Sequence, residues 1–165
     1  MASPDLNINN APDYIKQYIA SAASTGPAAL LLDGSWCGHG EAAYRIYDIA
    51  ENGNSVFRLQ LPDTASETGF PAAVKATSVV SQESFLIYDA KQHTANYYGL
   101  FKKKKKSKFA DIHHCSNCNE TNFKVSVGFE VPGDAEEPND TSWFVLATEC
   151  VHCGDKTIAF DDETA

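Results

Sequence analysis

The sequence holds no purely apolar run longer than five residues, as at 28–32, far short of the roughly 20 needed to span a bilayer as a helix. Its first residues, Met1-Ala2-Ser3-Pro4-Asp5, carry neither the basic nor the apolar segment of a secretory signal, and Ala2 replaces the glycine that myristoylation needs. Basic residues are scarce: 13 Lys and Arg face 22 Asp and Glu, a formal net charge of −9 that disfavours whole-molecule attraction to nucleic acid or anionic membrane. There is no phosphate-binding glycine loop, no metalloprotease motif and no Ser-His-Asp signature. These absences lead to the expectation of a cytoplasmic, non-enzymatic protein that does not engage a membrane. Disorder is excluded by what is present: 43% apolar and 11% aromatic residues over 165 positions are enough for a packed core.

Four of the five cysteines form two C-x-x-C pairs, Cys115-Ser116-Asn117-Cys118 and Cys150-Val151-His152-Cys153. An odd cysteine count without an export signal argues against a disulfide framework and for a tetrahedral Cys₄ metal site. The two-residue spacer lets the backbone turn so that both sulfurs aim at one centre, about 2.3 Å away for zinc. Gly154 follows the second pair and Asn119 the first, and both residue types tolerate the positive φ of such a turn. One structural zinc per chain is expected, held by Cys115, Cys118, Cys150 and Cys153. Iron takes the same ligands, so sulfur chemistry alone does not separate the two. His113, His114 and His152 are expected beside the site or in solvent rather than as ligands.

Between the pairs, Phe123, Val125, Val127, Phe129 and Val131 alternate with Lys124, Ser126, Gly128 and Glu130, the period of a strand. Pro132-Gly133-Asp134 opens an acidic loop. Further strands are expected at 142–148 and 157–160. The order knuckle, strand, loop, strand, knuckle, strand resembles the zinc-ribbon class over about residues 111–161. That resemblance implies a C-terminal three-stranded module at 109–165, in which the metal contributes folding energy.

The remainder, 1–108, is expected to be an α+β domain, β-rich and mainly antiparallel, which packs beside the module or with it as one unit. Asn10 can cap a helix at 12–23 with Pro12 and Asp13 in its first turn and Ile15, Tyr18, Ile19 and Ala22 on one face. Residues 28–32 read as a buried strand. Residues 41–61 fit either a helix, with Ala43, Ile46, Tyr47 and Ala50 on one face, or a hairpin with Asn52-Gly53 as its two-residue turn and a return strand at 56–61; Tyr44, Ile46, Tyr47 and Ile49, better strand than helix formers, favour the hairpin. Residues 62–71 read as a loop, and strands are expected at 73–80, Ser84–Asp89 and 96–101.

Two further segments carry candidate chemistry. Trp36-Cys37-Gly38 resembles the Trp-Cys-Gly-x-Cys site of thioredoxins over three residues, but Gly40 stands where the resolving cysteine would be. Cys37 as nucleophile with His39 as base is the catalytic alternative, and a glycine-rich turn with buried Trp36 and Cys37 is the simpler expectation. Lys102, Lys103, Lys104, Lys105, Lys106 and Lys108 form a basic run between acidic regions: residues 1–100 carry −5 and 111–165 carry −10. The run fits a solvated strand edge or intramolecular counter-charge, phosphate contacts with flanking aromatics, or docking to an acidic partner. The leading expectation is a zinc-stabilised binding protein that meets a protein partner through its acidic surface, as a small inhibitor or immunity protein would. A nucleic-acid-associated role through the lysines and a Cys37-dependent enzyme are the alternatives.

Overall fold

The computed structural model describes residues 11–12, 15–22, 26–32, 43–61, 73–89, 112–131 and 143–163. Among the described residues eight strands form one antiparallel sheet: β1 (Ile19–Ala22), β2 (Ala43–Ile49), β3 (Phe57–Gln60), β4 (Ala73–Ser78), β5 (Ser84–Asp89), β6 (Phe123–Val131), β7 (Trp143–Cys150) and β8 (Lys156–Glu163). The longest strand, β6, organises the sheet. Along one edge it pairs with β7, which pairs in turn with β8. Its other edge is shared by β2, from Ala43↔Val131 to Asp48↔Ser126, and by the start of β3 at Phe57↔Phe123. β1 extends the sheet beyond β2, and β4 and β5 extend it beyond β3. Strands from both halves of the chain therefore share a single hydrogen-bonded sheet.

The alternation in β6 predicts one apolar face, and Phe123, Val125, Val127 and Phe129 do enter the main core with Tyr47, Phe57, Leu59, Ile87, Phe144 and Leu146. On the opposite face Lys124 is exposed, whereas Ser126, Gly128 and Glu130 are buried. A second layer covers the inner part of that face. A 3₁₀ turn (Gly26–Ala28) leads into the short helix α1 (Ala29–Leu32), and Ala28 and Leu31 pack on Ile46, Val145 and Ala147. The strand expected at 28–32 is thus helical: Ala28 and Leu31 are buried while Ala29 between them is exposed, a three-residue spacing filled by good helix formers.

The expected helix at 12–23 is also replaced. A single 3₁₀ turn (Lys16–Tyr18) gives way at Ile19 (φ −97°, ψ 128°) to β1, which pairs with β2 at Ile19↔Ile49. The apolar stripe still marks buried residues, since Ile15 is fully buried and Tyr18 and Ile19 pack on the core. A helix of about twelve residues is marginal without tertiary support, and an open edge on β2 offers hydrogen bonds instead.

Asn52 and Gly53 both adopt positive φ (49° and 82°), and Glu51 and Asn54 exchange backbone hydrogen bonds of 2.9 Å, as a two-residue primed turn requires. The flanking strands do not form a hairpin with each other. β2 and β3 lie in succession along the same edge of β6, and the turn is a short excursion between them. Ser78 steadies the excursion by accepting from the Asn54 side-chain amide at 3.0 Å, while Glu51 accepts from Ser81 Oγ at 2.8 Å.

The sheet curls on itself. Tyr88 of β5 stacks on Phe144 of β7 with ring centroids 4.5 Å apart. Tyr18, just before β1, stacks on Phe85 of β5 at 3.8 Å, closing the two ends of the strand path over the main core. Among the described residues no helix is long and apolar enough to cross a membrane.

Candidate metal centre

The two C-x-x-C segments sit at one end of β6, β7 and β8. Cys115 and Cys118 precede β6, whereas Cys150 ends β7 and Cys153 lies in the turn into β8. The two segments have the same local design. In the first, the Cys115 N–H donates to the Glu120 carbonyl at 2.7 Å and the Asn119 N–H to the Cys115 carbonyl at 2.8 Å. In the second, the Cys150 N–H donates to the Asp155 carbonyl at 2.9 Å and the Gly154 N–H to the Cys150 carbonyl at 2.8 Å. Asn119 (φ 66°) and Gly154 (φ 77°) take the left-handed conformation at the equivalent place, as their residue types suggested. The knuckles are joined through the sheet by Phe123↔Cys150 and by the Val151 N–H, which donates to the Asn122 carbonyl at 3.1 Å. The first knuckle is also fastened to β3, where the His113 N–H donates to the Leu59 carbonyl at 2.7 Å.

This scaffold brings all four sulfurs within 4.8 Å of one another. Cys115 Sγ lies 3.7 Å from Cys153 Sγ, and Cys118 Sγ lies 3.5 Å from Cys150 Sγ. Sulfurs about 2.3 Å from a shared tetrahedral centre would stand about 3.8 Å apart, so the cluster is compatible with a metal site.

Electrostatics fit the same reading. The Cys153 thiol is pushed down to about 6, first by a side-chain hydrogen bond from Asn117 and then by the backbone N–H of Asp155. At Cys118 the equivalent backbone N–H, from Glu120, favours the thiolate. Burial and hydrogen bonds with the thiols of Cys150, Cys153 and Cys115 outweigh it and push Cys118 up to about 12. Sulfurs this close cannot all be negative without a cation among them. The two backbone N–H groups aimed at Cys118 and Cys153 are the kind of outer hydrogen bond that stabilises ligating thiolates.

The histidines stand outside the sulfur cluster. His113 is half-buried with its ring 5.1 Å from that of Phe123, and burial, then the neighbouring His114, lowers its pKa. His114 Nδ1 contacts the Asn119 carbonyl at 3.1 Å, and His152 is exposed. Cys37 and His39 lie outside the described residues, as do Lys102, Lys103, Lys104, Lys105, Lys106 and Lys108, the strand expected at 96–101 and the acidic loop after β6.

Sequence reasoning did not anticipate the Asn117–Cys153 contact or a cavity of about 300 Å³ on the other side of the sheet. Gly26, Pro27, Asp48, Lys124 and Glu149 are among its lining residues. Asp48 accepts from Ser126 Oγ, and burial raises its carboxyl above the ordinary value against that hydrogen bond. Glu149 is paired across the strands with Lys156 at 3.5 Å. No local pattern marks these residues, which meet only through the pairing of β2, β6 and β7.

Fold and cluster together define an antiparallel β-rich α+β protein with four clustered cysteines compatible with metal binding. No protein-family description, curated protein or solved structure matches the chain.

Proposed function

We propose that this chain is a zinc-stabilised, non-enzymatic binding protein that recognises a protein partner through its acidic surface. The observation that carries the metal part is the convergence of four sulfurs within 4.8 Å on two equivalent knuckles. Four thiolates fill a tetrahedral ion and leave no position for water or substrate, so zinc here would serve folding rather than reaction. When bound it supplies charge neutralisation and a cross-link between the two knuckles. The reduced cytoplasmic setting that the sequence suggests keeps all four thiols available as ligands.

The binding part is supported by charge. The chain carries −9, and four thiolates around one divalent cation contribute a further −2. An acidic surface of this kind accelerates encounter with a basic partner and slows it with like-charged nucleic acid. Affinity capture on the zinc-loaded chain at about 0.15 M and about 1 M salt, with Debye lengths of roughly 8 and 3 Å, tests this when the captured partner is purified and re-bound. A basic protein whose association slows as salt rises is the expected result. Salt-sensitive binding to a labelled oligonucleotide, lost when the five consecutive lysines are replaced, would overturn it in favour of a nucleic-acid role.

A further inference from the structure

The two knuckles are alike in backbone but unlike in exposure. Cys115 and Cys150 are buried, Cys118 is half-buried against the main core, and only Cys153 is exposed. Within a closed Cys₄ set, susceptibility to oxidants follows thiolate character and access, so the four ligands are not equally vulnerable. The Cys153 sulfur lies 3.7 Å from that of Cys115 in the other knuckle, while those of Cys118 and Cys150 pair at 3.5 Å.

We infer that Cys153 is a peroxide-oxidation site and that its oxidation is resolved by Cys115, giving a disulfide between the knuckles and releasing the metal. This rests on the zinc reading above. The Cys153 thiolate attacks one oxygen of hydrogen peroxide, the O–O bond breaks, hydroxide leaves, and Cys153 carries S–OH. The Cys115 thiolate then attacks that sulfur, the S–S bond forms, the S–O bond breaks, and a second hydroxide leaves. Two thiolates lose two electrons, one peroxide gains them, and both hydroxides take up solvent protons as water. The metal then has two thiolates instead of four and dissociates. The sulfurs need to approach by less than 2 Å to reach a bond length of about 2.05 Å. The new bond spans the knuckles as the metal did, so the Phe123↔Cys150 register survives oxidation. A dithiol reductant with added zinc reverses the change.

The test treats the zinc-loaded full chain with hydrogen peroxide and follows metal with a chromophoric chelator, while peptide mass spectrometry tracks each of the five cysteines. Zinc release at the same rate as loss of the Cys153 thiol, with a Cys115–Cys153 linked peptide, is expected. Cys153→His keeps a zinc ligand without an oxidisable sulfur and should slow release by about ten-fold or more. If that variant does not fold, the mapping of the unaltered chain decides alone. Disulfides confined within a knuckle, first oxidation at another ligand, or metal retained under excess peroxide would overturn the inference. A chain that carries no zinc at the outset would remove the underlying reading, and this one with it.

Discussion

Removing the metal should loosen one end of the sheet and leave the other intact. The cysteines hold residues 112–122 against the start of β6 and the end of β3, and hold the β7–β8 turn against both. Structural zinc contributes on the order of 10–16 kcal/mol in small peptides, as much as a whole domain's stability of about 5–15 kcal/mol. Here much of the core, including the Tyr88–Phe144 and Tyr18–Phe85 stacks, depends on no cysteine, so the loss is smaller than in a peptide. With free zinc at about 1,000 times its dissociation constant, linkage contributes about 4 kcal/mol. For a chain of this size that corresponds to a fall in Tm of roughly 8–16 °C on chelation. Cys115→Ser and Cys150→Ser should fall by comparable amounts and hold less than one metal. Amide hydrogen exchange gives the spatial check: Cys115, Asn119, Cys150, Val151 and Gly154, whose N–H groups tie the knuckles, should lose protection, whereas Tyr47 and Val127 in the paired centre should keep it. An unchanged melting curve after verified metal removal, or uniform loss of protection, would refute the reasoning.

Other substitutions probe the scaffold separately. Gly154→Ala introduces a Cβ with nothing within 4 Å but at φ +77°, so it should cost about 1–2 kcal/mol through backbone strain alone, read by denaturant melts of the zinc-loaded chain. Phe144→Ala empties the ring site shared with Tyr88 and Phe129 and should cost about 3–5 kcal/mol in the same assay, with metal content unchanged. Asp48→Asn should stabilise the fold near neutral pH. A carboxyl raised by burial makes the native state bind more protons than the unfolded one between its ordinary and raised values, so its burden grows as pH rises through that window. The variant's advantage should therefore vanish in acid; a constant or reversed difference between pH 3 and 7 would contradict it.

What could be read from sequence was what local chemistry dictates. The C-x-x-C spacing, the positive-φ residue after each pair and the period of two in β6 depend on a few neighbouring residues, and all three appear in the structure. The Asn52-Gly53 turn was legible for the same reason, but the pairing of its flanking strands was not, because β6, some 70 residues onward, supplies the shared edge. The stripe at Ile15, Tyr18 and Ile19 identified burial correctly and geometry incorrectly: a few apolar residues at spacings of one and three fit a helix or a turn followed by a strand. At 28–32 an unbroken apolar run conceals its period, and only contact with Ile46, Val145 and Ala147 shows which residues face inward. The alternation in β6 does not reveal its neighbours: β2 and β7 flank it, and 26–32 packs on residues of those two strands.

The central claim concerns four sulfurs around one ion, and X-ray absorption at the zinc edge of protein purified without added metal reaches it most directly. Four sulfur scatterers at about 2.3 Å, with one zinc per chain and no nitrogen or oxygen in the inner shell, is the predicted result. A mixed sulfur–nitrogen shell, or a metal-free chain with the same melting behaviour as zinc-supplemented protein, would contradict it.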